Sequence, residues 1–187
     1  MKIRTFIALD IPNFVVEKIF EILTSQVGDK KVKWQSKDKI HLTLKFIGDF
    51  EQKLIPELVE KLNFLNDLQT QKIELTKFGF FYANKSPRVF WIKPVISKEL
   101  IKTVDEIEEV LLQYDIPKEK RKFSPHLTLL KIKNDEKVDF LNKLITLKFE
   151  PIVFESNLIT LYKSDLHPSG AIYNSLHKFQ LKKMELI

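Results

Sequence analysis

The tetrapeptide His-Leu-Thr-Leu occurs twice in this sequence and accounts for two of its four histidines. Side chains of a β-strand alternate between its two faces, so each histidine would share a face with its threonine. Imidazoles titrate near neutral pH, so two of them can act as general acid and general base. Threonine hydroxyls can donate hydrogen bonds to the non-bridging oxygens of a phosphate. The motif therefore predicts acid–base catalysis on a bound phosphodiester, and its copies are His41, Leu42, Thr43 and Leu44, and His126, Leu127, Thr128 and Leu129.

The apolar residues of each motif should anchor its strand in a core. In the first strand, the face opposite His41 is expected to carry Ile40, Leu42, Leu44 and Phe46. If the two halves of the chain pack about a pseudo-twofold axis, both histidine–threonine pairs would face one shared cleft. The pattern does not distinguish the acid from the base.

Other chemistries have no motif in this chain. There is no cysteine, which excludes disulfides and thiol chemistry. The histidines lack the H-x-x-x-H or comparable spacing of a zinc site. Neither of the glycine-rich phosphate-binding patterns, G-x-x-x-x-G-K-[ST] and G-x-G-x-x-G, occurs. We therefore expect neither a metal nor a cofactor.

Two lysine-rich segments precede the two motifs. The chain has 31 Lys and Arg against 25 Asp and Glu, and the resulting formal charge of +6 favours an anionic partner. Each segment also contains an aromatic residue, as surfaces that bind phosphates and bases often do. Two interpretations stay open: solvated surface loops, or a surface that follows an RNA backbone. The first segment contains Lys30, Lys31, Lys33, Trp34, Lys37 and Lys39, and the second contains Lys118, Lys120, Arg121, Lys122 and Phe123.

Helices and strands alternate along the chain and would position the motifs. The spacing of apolar residues predicts amphipathic helices over residues 13–27, 51–67, 97–114 and 134–145. Ser97 and Asn134 are the expected N-caps, and Pro56 suits the first turn of the second helix. Runs of β-branched and aromatic residues predict strands over residues 3–11, 39–48, 72–82, 88–94, 126–133, 147–156, 157–164 and 171–181.

This order of elements predicts an internally duplicated α+β fold. We expect a single domain over residues 1–187, with two similar lobes at roughly residues 1–93 and 94–187 and with terminal strands free to exchange between them. No apolar run approaches the roughly 20 residues of a membrane span, and the first residues predict a strand rather than a signal peptide. The composition, 44% hydrophobic and 30% charged, is typical of a soluble globular protein. We expect a cytoplasmic monomer that does not bind membranes.

Five stretches carry a resemblance to a known family: "RTFIALDIP", "HLTLKFIGD", "PRVFWI", "FSPHLTLLKIK" and "LYKSDLHPSGAIYNSL". They resemble, in this order, the opening strand, the first signature, the middle strand, the second signature and the closing hairpin of the two-histidine (2H) phosphoesterases. Within that superfamily the chain is most similar to the RNA 2',3'-cyclic phosphodiesterases, once described as 2'-5' RNA ligases.

The resemblance implies a bilobal α+β fold, with antiparallel sheets lining a central cleft and helices outside. It also implies metal-independent hydrolysis of an RNA 2',3'-cyclic phosphate to a 2'-phosphate, with reverse 2'-5' ligation as an added capacity. In that scheme His41 donates a proton to the departing 3' oxygen, and His126 is the base that activates water. Thr43 and Thr128 hold the phosphate. The implied partner is an RNA that ends in a cyclic phosphate, such as a tRNA fragment.

The family usually has arginine five residues after the second histidine, where this chain has Lys131. Lysine keeps the positive charge but lacks the bidentate fork that suits phosphate. By strict alternation Lys131 would fall on the Leu127 face, so it reaches the cleft only if the strand contains a bulge. The other two histidines, His167 and His177, match nothing functional, and we expect both in surface or loop positions. Arg88 and Trp91 match the family pattern too, but we expect them to serve packing.

Two alternatives to this function stay open. One is a phosphodiesterase for small cyclic phosphates, such as a cyclic nucleotide or an ADP-ribose derivative. The other is a non-catalytic RNA-binding module. Intact histidine and threonine in both motifs argue against the module, and the basic segments favour RNA over a small substrate.

Overall fold

A computed structural model describes residues 1–28, 32–132, 138–168 and 170–183. The described residues form eight strands: β1 (Lys2–Asp10), β2 (His41–Glu51), β3 (Gln71–Ala83), β4 (Ser86–Val95), β5 (Leu127–Lys131), β6 (Ile152–Ser156), β7 (Leu158–His167) and β8 (Gly170–Gln180). Their α-helices are α1 (Asn13–Val27), α2 (Ile55–Lys61), α3 (Lys98–Leu112) and α4 (Val138–Ile145). Short 3₁₀ turns cover Lys37–Lys39, Gln52–Leu54 and Asn63–Asp67.

The strands form two antiparallel sheets of four, ordered β2-β1-β7-β8 and β5-β4-β3-β6. An HLTL motif therefore lies at an edge strand of each sheet, β2 in the first and β5 in the second. The first sheet takes two strands from each end of the chain, whereas the second takes the four strands between them. This architecture confirms the predicted α+β class, while the division of the domain into two lobes at about residue 93 stays a prediction.

Local interactions explain where the predicted helices begin and end. The Ser97 hydroxyl caps α3 by accepting a hydrogen bond of 2.9 Å from the Leu100 N–H, as expected. Pro56 lies in the first turn of α2, where its missing N–H costs least. The second predicted helix is shorter than expected, because its ends are 3₁₀ turns rather than α-helix. Asn134 lies outside the described residues. Among the described helices, none has the length and apolar character needed to cross a bilayer.

The leucines of both motifs lie in one hydrophobic core, as predicted. Their side chains are at most 3% exposed, and the core also takes the inner faces of α1 and α3. Burial of this kind contributes about 25 cal/mol per Å² of apolar area, so each motif strand is held firmly on its inner side. The polar side chains of the motifs are thereby held on the opposite face.

A β-bulge follows the first motif. In the pairing of β2 with β1, Thr43 lies opposite Ala8 and Lys45 lies opposite the neighbouring Ile7. Leu44 therefore has no partner and is the extra residue. Beyond a bulge the alternation of faces reverses. Lys45 is consequently buried, and Phe46 is 58% exposed. The expectation that Phe46 shares the apolar face is therefore wrong.

A second β-bulge follows the second motif. Leu130 pairs with Phe90 and Thr128 with Trp91, so Leu129 is the extra residue of β5. Leu129 and Leu130 are both buried, and the exposed Lys131 lies on the same face as Thr128. The bulge that Lys131 needs in order to face the cleft is present.

Candidate active site

The two motifs meet because the edge strands that carry them, β2 and β5, contact each other. The imidazoles of His41 and His126 are close enough for the charge of one to lower the pKa of the other. Two sheets thus present an imidazole each to the same cleft. This is the arrangement that the repeated tetrapeptide predicts.

His41 lies among aromatic rings of the first sheet. Its ring stacks on Phe6 with centroids 5.0 Å apart, and Tyr173 lies edge-on at 5.5 Å. Tyr162 follows behind Phe6, 6.2 Å from the imidazole. Burial lowers the pKa of His41 to about 4, helped by the charge of His126 and opposed by a backbone hydrogen bond at Lys39. The imidazole is therefore neutral at pH 7 when the cleft holds no ligand.

His126 lies just before β5, with its ring edge-on to Phe81 at a centroid distance of 4.6 Å. Its Nδ1 is 2.9 Å from the carbonyl oxygen of Ser124. A carbonyl can only accept, so Nδ1 carries a hydrogen and Nε2 is the nitrogen left for proton transfer. Burial lowers the pKa of His126, against the effect of this hydrogen bond. With its pKa lowered, the His126 imidazole is neutral at pH 7 and its Nε2 carries no proton.

Each histidine ring forms a hydrogen bond with the backbone of the residue two positions earlier, which is Lys39 for His41 and Ser124 for His126. Such a partner fixes the tautomer and the direction of the ring. The two halves of the site thus repeat this contact as well as the tetrapeptide.

Thr43 and Thr128 lie half-buried on the cleft face of their strands, opposite Ala8 and Trp91. Within the described part of the chain, neither hydroxyl makes a hydrogen bond. Each can therefore donate to an oxygen of a bound phosphate, at no cost in existing hydrogen bonds.

A half-buried polar network that we did not predict lies beside His41, on the same face of the first sheet. The Asp10 carboxylate, directly across from His41 in the sheet, accepts hydrogen bonds of 2.8 Å from Tyr162 and from Thr160. Burial raises the pKa of Asp10 despite these two donors, and burial and the Asp10 charge raise that of Tyr162. Asp10 thereby fixes the tyrosine whose ring stacks on Phe6, which in turn stacks on His41. The sequence offered one indication of this neighbourhood, because alternation along β1 places residue 10 on the same face as residue 6.

Some side chains of the two basic segments already form ion pairs, and others are exposed. Lys37 forms an ion pair with Glu17, and Lys118 forms one with Glu109. The lysines and the arginine of residues 120–122 are exposed. Lys30 and Lys31 lie outside the described residues.

The aromatic residues of those segments pack inward. Trp34 and Phe123 both lie against the hydrophobic core, with Trp34 6.2 Å from the ring of Phe90. Core packing accounts for their positions, so they are not free platforms for stacking bases.

The remaining candidates lie on three different strands. His167 is exposed at the end of β7, as expected. His177 lies half-buried within the edge strand β8, 4.6 Å from Phe179, so it is not a loop residue. Trp91 packs over Gly79, where an added Cβ would lie 2.4 Å from the indole. Among the described residues, no three histidine or acidic side chains come together as a metal site requires.

Comparisons with known proteins identify the family and the fold of this chain. A family model for the 2'-5' RNA ligase superfamily matches residues 19–168. The RNA 2',3'-cyclic phosphodiesterase of Thermotoga maritima is 32% identical, with 96% of each chain covered. That of Methanocaldococcus jannaschii is 33% identical, with 94% of this chain and 99% of the relative covered. The crystal structure of E. coli LigT complexed with 3'-AMP has a TM-score of 0.77 at 20% identity, covering 97% of this chain and 99% of that one.

Proposed function

The chain belongs to the 2'-5' RNA ligase superfamily, and from this premise we propose that it is an RNA 2',3'-cyclic phosphodiesterase. The enzyme opens the cyclic phosphate at an RNA end to a 2'-phosphomonoester. The observation that carries this proposal is the pair of histidine–threonine faces on two adjoining edge strands, one from each sheet.

The reaction divides between the two histidines. His126 Nε2 takes a proton from a water molecule as the water oxygen attacks phosphorus. The bond from phosphorus to the 3' oxygen breaks, and His41 gives its proton to that oxygen. The product carries a 2'-phosphate and a 3'-hydroxyl, and the two histidines exchange their protonation states, which solvent then restores. Thr43 and Thr128 donate to the non-bridging oxygens, on which negative charge accumulates in the transition state.

His41 must hold a proton in order to act as the acid, yet its pKa of about 4 leaves it neutral in the empty cleft. Substrate binding opposes this. A phosphodiester brings a negative charge beside the ring, and opposite charge favours the protonated form. Substrate binding thus creates the acid that the reaction needs.

The substrate is an RNA end, such as that of a tRNA fragment, and the enzyme acts as a monomer. The exposed basic residues 120–122 come four residues before His126, where the chain of an RNA bound in the cleft would continue. Lys131, on the Thr128 face, adds a cation beside the phosphate. If the 5'-hydroxyl of a second RNA replaces the attacking water, the same proton transfers form a 2'-5' bond.

The test incubates the purified protein, with EDTA present, on an oligonucleotide that ends in a 2',3'-cyclic phosphate. We expect a 2'-phosphate as the product and a rate that the chelator does not change. The control is the doubly substituted His41→Ala/His126→Ala protein from the same purification, which identifies any contaminating nuclease. A 3'-phosphate product, or a rate restored by divalent ions, would contradict the proposal. Turnover of cyclic mononucleotides but not of the oligonucleotide would favour the small-substrate alternative.

A further inference from the structure

A buried ion pair lies directly behind the first motif. The Lys45 ammonium is 2.7 Å from the Glu108 carboxylate of α3, and the two side chains are 2% and 10% exposed. Lys45 also donates to the Pro117 carbonyl at 3.3 Å and lies 3.4 Å from Glu119. The Glu108 carboxylate accepts in addition the backbone N–H of Glu119 at 3.0 Å. One pair of side chains therefore connects β2, α3 and residues 117–119.

The bulge at Leu44 is what directs Lys45 there. Without the extra residue, position 45 would follow His41 and Thr43 onto the cleft face. With it, the cation points away from the cleft and toward α3. Burial opposes the charge of Glu108, but its hydrogen bonds from Lys45 and Glu119 outweigh burial and lower its pKa. The Glu108 carboxylate is thus charged at neutral pH.

The segment that this pair holds leads to the second histidine. Residues 116–126, all of them described, contain neither helix nor strand, so no ladder of backbone hydrogen bonds fixes their course. The carbonyl of Ser124, in the same segment, orients the ring of His126. The position of residues 117–119 therefore influences where the His126 imidazole points.

We propose that Lys45 and Glu108 are positioning residues, which tie the strand of the first motif to the segment that carries His126 and so set the two imidazoles relative to each other. The inference rests on the proposed function for its kinetic consequences. Replacing a buried ion pair by apolar residues is often neutral for stability, so stability alone does not explain a charged pair at this place. What sets this pair apart is that it joins β2 and α3 to residues 117–119. Leu130, the residue at the same place after the second bulge, is apolar and makes no such connection.

The test replaces the pair by apolar residues of similar size, as Lys45→Met/Glu108→Leu. The matched control is Lys102→Met/Glu106→Leu, which removes an exposed ion pair from the same helix. We expect the control to leave kcat unaltered. The buried substitution should lower kcat by on the order of 10- to 100-fold, because small displacements of a proton-transfer group are costly. KM should change by less than about 3-fold, since the phosphate ligands stay in place.

An NMR titration of the His126 ring is the second measurement. Loosening of residues 117–125 should expose the ring, so that its pKa rises toward the ordinary value. Unchanged kcat and unchanged His126 pKa, together with a lower melting temperature, would show that the pair only stabilises the fold. If the double variant does not fold, Glu108→Asp, which keeps the charge but shortens the reach toward Lys45, should give the same two effects at smaller size. Should the wild type prove inactive, the proposed function fails, and the titration alone decides the positioning role.

Discussion

His41 and His126 reach the cleft from edge strands of different sheets, and in both cases a β-bulge follows the threonine of the motif. Each ring is oriented by the backbone two residues earlier. Their surroundings differ. Phe6, Tyr162 and Tyr173 surround His41, and the half-buried Asp10 carboxylate lies across from it in the sheet. An irregular segment carries His126, beside a single described aromatic contact.

The two residues that follow each bulge show the same contrast. In the first half the cation, Lys45, turns into the protein, and Phe46 takes the cleft face. In the second half the apolar Leu130 turns inward, and Lys131 takes the cleft face. The repeated backbone therefore sets where the groups lie, whereas the side chains around them decide how strongly each imidazole is desolvated and which half presents a cation on the cleft face.

The largest effect should come from the histidines themselves. We expect His41→Ala and His126→Ala each to lower the rate by on the order of 10²–10⁴, the usual contribution of a positioned proton-transfer group. The double variant should cost far less than the product of the two, because the residues act as a unit. Single-turnover rates with the cyclic-phosphate oligonucleotide give both values. Nearly full activity of either folded single variant would refute the paired mechanism.

The two halves should also differ in how stability depends on pH. The folded-state pKa of His41, about 4, lies below the ordinary histidine value of 6.5, so the unfolded chain binds more protons between these values. Above pH 6.5 His41 is neutral in both the folded and the unfolded protein, and the fold keeps its full stability. Below pH 6.5 the unfolded chain takes up the proton first, so the free energy of unfolding falls as the pH falls toward 4. The loss should be on the order of 3 kcal/mol. Urea unfolding of wild type and His41→Asn at pH 7.5 and 4.5 measures it.

The same comparison with His126→Asn sharpens this prediction. The pKa of His126 is also lowered, so the sign should be the same. We expect a smaller pH dependence, because its irregular segment admits solvent more easily than the aromatic surroundings of His41. An equal or larger dependence for His126 would contradict the contrast between the halves.

A smaller kinetic effect should separate Lys131 from Phe46. Lys131→Ala should lower kcat/KM by roughly 10-fold, the value of one charge-assisted contact to phosphate, and Lys131→Arg should preserve or raise it. Phe46→Ala removes no charge, so its effect should not depend on salt, whereas that of Lys131→Ala should weaken as salt rises. Steady-state kinetics at two salt concentrations test both. Equal salt dependence would mean that Lys131 does not act by its charge.

Much of this fold could be predicted from local patterns, and the exceptions have physical causes. The helical period of residues 13–27 gave the bounds of α1 because a single apolar stripe faces the core. In β5 the sequence does indicate the bulge, because the consecutive apolar residues Leu129 and Leu130 interrupt the alternation of polar and apolar residues. In β2 the sequence does not indicate it, because the residue that the bulge turns toward the protein interior is the charged Lys45. The network of Asp10 joins residues 150 positions apart in sequence, which no local pattern predicts.

The smallest effect concerns the two basic segments and distinguishes them from each other. Each phosphate neutralised on a single strand contributes about 0.7 to the slope of log affinity against log salt. Substituting residues 120–122 by glutamine should therefore flatten the slope by up to about 2, measured by fluorescence anisotropy with a single-stranded product. The same change at Lys33, Lys37 and Lys39 should flatten it less, because Lys37 already pairs with Glu17. Glutamine at Lys53, Lys98 and Lys102 removes three charges elsewhere and should leave the slope unchanged. If all three sets act alike, net charge alone explains the binding, and the segments are solvated loops.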